Sequence, residues 1–238
     1  MNIGVEGQKY EGKTTLAFWL ACRIRDRANT YKIMIFDPKW SFRNPYVIAH
    51  GQTRHVTWAE DSVEFEYQLT QPATAVAYRP ALSLEEDDSE LMWTEFSRFC
   101  EAINLEGILR EPPARPVVLL IDEAYCLQNG KNVHPALANA IRLATKGRVY
   151  IILAVHGPRE LSPMIRRQLD EMYLFRQNDP TDLDYIRERC GPEAEKIVAS
   201  LPQHHVLVYR SNARRFEVWS DPSLWRVEIG ESRVTATD

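Results

Sequence analysis

Long apolar runs are missing from this sequence. No stretch approaches the ~18 consecutive apolar residues of a membrane-crossing helix. The N-terminus has neither the basic start nor the apolar middle of a secretion signal. Cysteine is scarce: Cys22, Cys100, Cys126 and Cys190 show no Cys-x-x-Cys spacing and no histidine pair nearby. That excludes a disulfide scaffold and the common zinc frameworks, and implies reduced, buried thiols in a cytosol. Positive charge is not in excess either. The 29 Lys and Arg against 33 Asp and Glu leave a net charge of −4. A broad basic face that coats nucleic acid is excluded, because phosphate binding is largely electrostatic; local basic patches remain open. The six histidines lack His-Glu-x-x-His spacing and no Gly-x-Ser-x-Gly occurs, which leaves zinc-protease and serine-hydrolase chemistry without support.

What is present suits a single domain spanning residues 1–238. Apolar residues make up 45% and charged residues 26% of the chain, enough for a sizeable core. Residues 2–6 read as a strand that leads through a glycine-bracketed loop into a helix from Thr14 to about Arg27. A second strand, Tyr31–Phe36, stops at Asp37-Pro38. Residues 39–72 are aromatic, polar and irregular, with short strands at Tyr46–Ile48 and Val56–Trp58, and Thr74–Tyr78 is another strand. The acids Glu85, Glu86, Asp87 and Asp88 precede Leu91, Met92, Phe96, Phe99 and Ile103, a spacing that predicts one buried helical stripe behind a solvated acidic helix start. After Pro112-Pro113, Val117–Ile121 has the continuous apolar character of a strand covered on both faces. A helix from Pro135 to Thr145, a buried strand Val149–Val155, a helix Met164–Glu171, a short strand Met172–Phe175 and a helix Asp182–Arg189 follow. His205–Tyr209 and Arg215–Trp219 form a hairpin turning near Ser211-Asn212. Alternating strands and helices predict an α/β fold, a doubly wound and mostly parallel sheet, with a core over about 2–187 and a helix-and-hairpin extension over about 188–238.

Two motifs carry chemistry. Gly7-Gln8-Lys9-Tyr10-Glu11-Gly12-Lys13-Thr14 matches Gly-x4-Gly-Lys-Ser/Thr between a strand and a helix. Such a loop wraps a phosphate in backbone N–H groups, and the helix N-terminus adds its dipole. Lys13, expected to face the surface, would reach the β- and γ-phosphates. Thr14 would place its hydroxyl on Mg²⁺, and Thr15 completes the loop. The second motif is the apolar strand ending in Ile121-Asp122-Glu123. Its first acid would order the Mg²⁺ shell and its second would polarise the attacking water. GTP recognition would want an Asn- or Thr-Lys-x-Asp string. Thr145-Lys146-Gly147-Arg148 lacks the Asp, so ATP is the expected nucleotide.

Further strings are Ile35-Phe36-Asp37-Pro38-Lys39, Ile121-Asp122-Glu123-Ala124, Lys146-Gly147-Arg148 before Val149–Val155, His156-Gly157-Pro158, and Leu174-Phe175-Arg176-Gln177-Asn178-Asp179-Pro180. With these, residues 2–187 resemble the HerA/FtsK superfamily of DNA-pumping P-loop ATPases, which share a RecA/FtsK-like core. The resemblance implies an arginine finger at Arg148, with Arg142 and Arg159 the next candidates, and a γ-phosphate sensor at His156. The family's usual sensor is glutamine; His156-Gly157-Pro158 keeps the proline but not the amide. Because the Gly7–Thr14 loop follows a strand that begins at residue 2, the chain looks like the core alone. In that respect it resembles the genome-packaging ATPases of tectivirus-like, membrane-containing icosahedral viruses.

The resemblance implies an ATP-hydrolysing translocase that moves double-stranded DNA into a capsid as a homo-oligomeric ring, a hexamer being expected. Its partner would be a capsid vertex or portal protein, and its place the host cytoplasm or the virion. Arg148, at the start of its strand, lies far from its own nucleotide and would act on a neighbour's. Arg43, Arg54, Arg166-Arg167 and Arg214-Arg215 are candidates to face the DNA. Three other readings stay open: a conjugation or phage-extrusion ATPase, a soluble nucleotide-kinase-like enzyme, and a nucleotide-gated scaffold that does not hydrolyse.

Overall fold

The seven inner strands of the main sheet run parallel, and antiparallel strands extend it at both ends. The structure is a computed structural model and describes residues 1–8, 12–28, 32–41, 46–49, 52–73, 75–80, 89–111, 116–129, 132–144, 149–219 and 228–229. In chain order the strands are β1 (Asn2–Glu6), β2 (Ile33–Phe36), β3 (Tyr46–Ala49), β4 (Gln52–Ala59), β5 (Ala75–Tyr78), β6 (Val117–Ile121), a small pair β7 (Gln128–Asn129) and β8 (Asn132–Val133), β9 (Val149–Val155), β10 (Glu171–Leu174), β11 (Val206–Arg210), β12 (Arg215–Trp219) and β13 (Glu228–Ile229). The helices are α1 (Lys13–Ala28), α2 (Ser62–Thr70), α3 (Ser89–Ala102), α4 (Leu105–Arg110), α5 (Pro135–Ala144), α6 (Pro163–Arg167), α7 (Pro180–Cys190) and α8 (Pro192–Ser200). The sheet order is β12-β11-β10-β1-β9-β6-β2-β5-β4-β3-β13.

Side chains alternate across this sheet and define two cores. Ile3, Val5, Ile33, Ile35, Val118, Leu120, Ile152 and Ala154 point to the face covered by α1. Met34, Phe36, Leu119, Ile121, Ile151, Leu153 and Val155 point to the other, under α3, α5, α7 and α8. Helices on both faces of a mostly parallel sheet make the doubly wound fold expected from the sequence. The C-terminal hairpin pairs β11 with β12 and also joins β11 to β10, so it continues the main sheet.

Four local expectations need correction. Residues 39–72 are more regular than expected: β4 runs for eight residues and α2 follows it. Helix α2 buries only Phe65, too thin a stripe to read as a helix. Its ends are satisfied by Asp61, which accepts from the Glu64 N–H, and by Lys32, whose ammonium donates to the carbonyls of Leu69 and Gln71. On α3, Met92, Phe96, Phe99 and Ile103 are buried as predicted, but Leu91 is 50% exposed; it lies one residue, about 100°, off their stripe. The helix expected over 164–171 is only the five-residue α6, and Glu171 already belongs to β10. Lys13 is 8% exposed rather than surface-facing. Glu85–Asp88 lie outside the described residues. The four cysteines are free thiols, with Cys22 and Cys100 buried. Among the described residues no helix is long and apolar enough to cross a membrane.

Candidate functional site

The site forms at the C-terminal edge of the parallel strands, and strand order decides who meets whom. Strand β9 lies between β1 and β6, with Val155 beside Glu6 and Leu153 beside Ile121. The residue after β9, His156, therefore emerges between the loop that follows β1 and the acids that follow β6. On the far side of β6 runs β2, with Phe36 beside Ile121, so the turn after β2 flanks the same acids. Ligands of open parallel sheets bind at this edge, where successive connections diverge to opposite faces.

The loop after β1 is anchored at both ends. Gly7 donates its N–H to the Val155 carbonyl at 3.2 Å. A Cβ at Gly7 would stand 2.5 Å from the Cβ of Phe175, so glycine is required there by a close approach. Gly12, at φ 100°, takes the left-handed turn into α1. Lys13 opens α1; its ammonium donates to the Gln8 carbonyl at 2.9 Å and lies 3.2 Å from Nδ1 of His156. An ammonium only donates, so this Nδ1 is the acceptor and the ring proton is on Nε2. Nε2 lies 3.3 Å from Oε2 of Glu123. Lys13, His156 and Glu123, from three different strand ends, thus form one chain of contacts.

Glu123 holds φ at 52°, a left-handed conformation rare for a side-chain-bearing residue. The backbone turns sharply there into the short 3₁₀ turn Ala124–Leu127. The turn swings the Glu123 carboxylate into the pocket while Asp122 stays under the sheet edge. Such outliers concentrate at functional sites because the surroundings must hold them. Asp122 is 3% exposed, and its Oδ2 makes no hydrogen bond among the described residues. Burial pushes its pKa up to about 7; Asp37 and Glu123 add to that, while Ser41 and Lys13 oppose it. The resulting pocket, about 390 Å³, is lined by Gly12, Lys13, Thr14, Thr15, Lys39, Glu123 and His156.

Of the residues singled out from sequence, Gly12, Lys13, Thr14, Thr15, Glu123 and His156 share this pocket, with Gly7, Gln8 and Asp122 beside it. Lys9, Tyr10, Glu11 and Arg148 lie outside the described residues, as does Arg43. Arg142 donates to Ala138 and Asn139 on its own helix α5. Arg166 lies over the Tyr185 ring, 4.6 Å from its centroid, whereas Arg167, Arg214 and Arg215 are exposed.

One lining residue and several residues behind the pocket were not assigned from sequence. Lys39, from the turn after β2, lines the pocket beside Glu123, and Tyr125, from the turn after β6, accepts a hydrogen bond from Lys39. Behind His156, Glu160 accepts the N–H groups of His156 and Gly157, and the buried Gln177 donates to the His156 carbonyl at 3.2 Å. The one signal available was position: each lies within a few residues of a strand's C-terminal end.

A loop of this spacing at the end of the first strand, a buried acid at the end of a non-neighbouring strand, and a polar residue at the end of the strand between them define the P-loop NTPase fold. No family model matches the chain. Over 93 residues, 37% of this chain, it is 31% identical to the probable helicase MJECL08 of Methanocaldococcus jannaschii, a match spanning 18% of that protein. Among solved structures it is similar to the genome packaging NTPase B204 of Sulfolobus turreted icosahedral virus 2. In the sulfate complex the TM-score is 0.64 at 21% identity, covering 92% of this chain and 95% of that one. The B204 complex with ATP-gammaS superposes with a TM-score of 0.60 at 20% identity, over 92% and 96% of the two chains. VirB4 of Thermoanaerobacter pseudethanolicus is similar at TM-score 0.63 and 9% identity, over 94% and 91% of the two chains. The fold implied by the resemblance to the HerA/FtsK superfamily is the fold these structures share with this chain.

Proposed function

We propose that this chain is an ATPase that drives double-stranded DNA, and that its cargo is a viral genome entering a capsid. The observation that carries the reading is the convergence of Lys13, His156 and Glu123 in one pocket at the sheet edge. Lys13 neutralises charge on the β- and γ-phosphates, its ammonium exchanging the Gln8 carbonyl for phosphate oxygen. Glu123 orients a water and takes its proton. His156, whose Nε2 stands 3.3 Å from Oε2 of Glu123, lies between that carboxylate and Lys13 and reports the γ-phosphate through Lys13.

Mg²⁺ fits the acids present. The buried, unpartnered Oδ2 of Asp122 is a carboxylate oxygen in want of a cation, and Thr14 lines the same pocket. Those two would hold the ion, with phosphate oxygens and water completing its shell. When bound, it would supply charge neutralisation at the phosphates. Arg148, just before β9, is proposed to reach a neighbouring subunit's nucleotide in a ring. B204, a genome packaging NTPase, is covered almost end to end by this chain, and that likeness favours packaging as the role; the match to VirB4 supports the wider class of ATP-driven motors.

The test is steady-state ATP hydrolysis by the full chain with and without duplex DNA, with mass measured in ATP. Turnover stimulated by DNA in an oligomer is expected. Glu123→Gln should bind ATP and lose ~10²–10⁴-fold in turnover, and Lys13→Ala should lose turnover while remaining folded. Arg148→Ala should be inactive alone and regain activity when mixed with Glu123→Gln subunits. A fully active monomer indifferent to DNA would refute the translocase.

A further inference from the structure

The pocket contains a second lysine that neither motif assigns. Lys39 comes from the turn after β2 and lines the pocket with Lys13 and Glu123. Its Nζ donates to the Tyr125 hydroxyl at 2.5 Å, lies 5.1 Å from that ring's centroid, and stands 4.0 Å from Oε1 of Glu123. The two oxygens of Glu123 therefore face different partners: Oε2 faces His156 and Oε1 faces Lys39.

The turn that delivers Lys39 is locked. Asp37 accepts the Ser41 N–H at 2.7 Å with one oxygen and Nε of Arg79 at 3.0 Å with the other. Arg79 in turn lies 4.6 Å from the centroid of the Trp58 ring, and the Trp40 indole donates to the Pro80 carbonyl at 3.3 Å. Tyr125 is fixed just as closely, two residues after Glu123 and with its ring 5.8 Å from that of His156. Burial disfavours the Lys39 charge, but the Tyr125 hydrogen bond and the Glu123 charge outweigh it and hold the ammonium above the usual lysine range.

We infer that Lys39 is a positioning residue for Glu123, with Tyr125 as its anchor. The inference rests on the ATPase reading above. A carboxylate that must present one oxygen to a water needs its plane held by its other contacts. Glu123 sits in a strained turn at an open edge and its Oε2 makes no hydrogen bond among the described residues, so electrostatic contacts with His156 at 3.3 Å and Lys39 at 4.0 Å supply that hold. A lysine already anchored by Tyr125 gives up little further freedom in doing so.

Single-turnover and steady-state ATP hydrolysis by the full chain test this with Lys39→Met, Lys39→Arg, Tyr125→Phe and the double variant Lys39→Met/Glu123→Gln. Lys39→Met should lower kcat roughly tenfold, on the scale of one solvent-screened charge contact at 4 Å, with KM for ATP changed less than about twofold. Lys39→Arg, which keeps the cation, should recover most of that loss, and Tyr125→Phe should fall between. In the Glu123→Gln background Lys39→Met should cost nothing more, because a residue acting through Glu123 has nothing left to position. A rise in KM at constant kcat, or losses that multiply in the double variant, would overturn the inference and make Lys39 an independent phosphate contact. A wild-type chain without turnover, or Glu123→Gln as fast as wild type, would sink the ATPase reading and the inference with it.

Discussion

Glu6 offers the sharpest physical test of this structure. It ends β1, immediately before the Gly7–Thr14 loop, and is fully buried. Neither carboxyl oxygen makes a hydrogen bond among the described residues. Gly4, on the same face, leaves room for that carboxyl; a Cβ there would stand 2.7 Å from Oε1. Burial raises the Glu6 pKa from the ordinary 4.5 to about 8; Asp182 and Glu160 push the same way, and Arg166 opposes them. The folded chain therefore holds a proton on Glu6 at neutral pH that the unfolded chain releases. Because the folded pKa is the higher one, the stabilising effect of this proton is fully present below pH 4.5 and is lost as pH rises through about 8. Each pH unit in that window removes about 1.4 kcal/mol. Glu6→Gln keeps the shape and removes the titration. Its amide adds a constant offset from burying N–H groups, so the informative quantity is how the difference from wild type varies with pH. Denaturant unfolding of both chains between pH 5.5 and 8 should show the variant gaining on wild type by about 3 kcal/mol across that span. A difference that stays flat would mean that Glu6 keeps an ordinary carboxylate's titration, and the reasoning from burial would fail.

Two further outcomes follow from the packing. Gly7→Ala should destabilise the chain by about 1–3 kcal/mol and weaken ATP binding, since the added methyl forces apart the loop and Phe175. Phe175→Ala should not rescue it, because the clashing atom is the Phe175 Cβ, which alanine retains; thermal unfolding and ATP titration of the double variant check this. Arg79→Met should cost about 3–5 kcal/mol in denaturant unfolding by leaving the buried Asp37 carboxylate without its ion-pair partner, and a loss under 1 kcal/mol would show that the pair contributes little.

How much of this was legible in sequence depended on how local the cause was. The strands β1, β6 and β9 and the helices α1 and α5 were readable because each carries its own apolar pattern. Helix α2 was not, because its stability comes from one buried Phe65 and from Lys32, which caps the carbonyls of Leu69 and Gln71 from 37 and 39 residues earlier. Glu6 looked like an ordinary strand residue; its burial, and the nearness of Arg166 from α6 and Asp182 from α7, come from tertiary packing. Lys39 was part of a recognisable Asp37-Pro38-Lys39 string, yet its role depends on β2 running beside β6.

The local sequence determined the chemical parts: a phosphate-loop spacing at Gly7–Thr14, a strand ending in Asp122-Glu123, and the polar His156 just after the strand Val149–Val155. Spacing along the chain suffices for these because each is built by consecutive residues with fixed backbone demands. Tertiary structure alone decided which parts meet. The insertion of β9 between β1 and β6 sets His156 between Lys13 and Glu123. The placement of β2 on the other side of β6 brings Lys39 to the second oxygen of Glu123. Strand order is a long-range property, set by which apolar faces bury one another best, and no window of neighbouring residues encodes it.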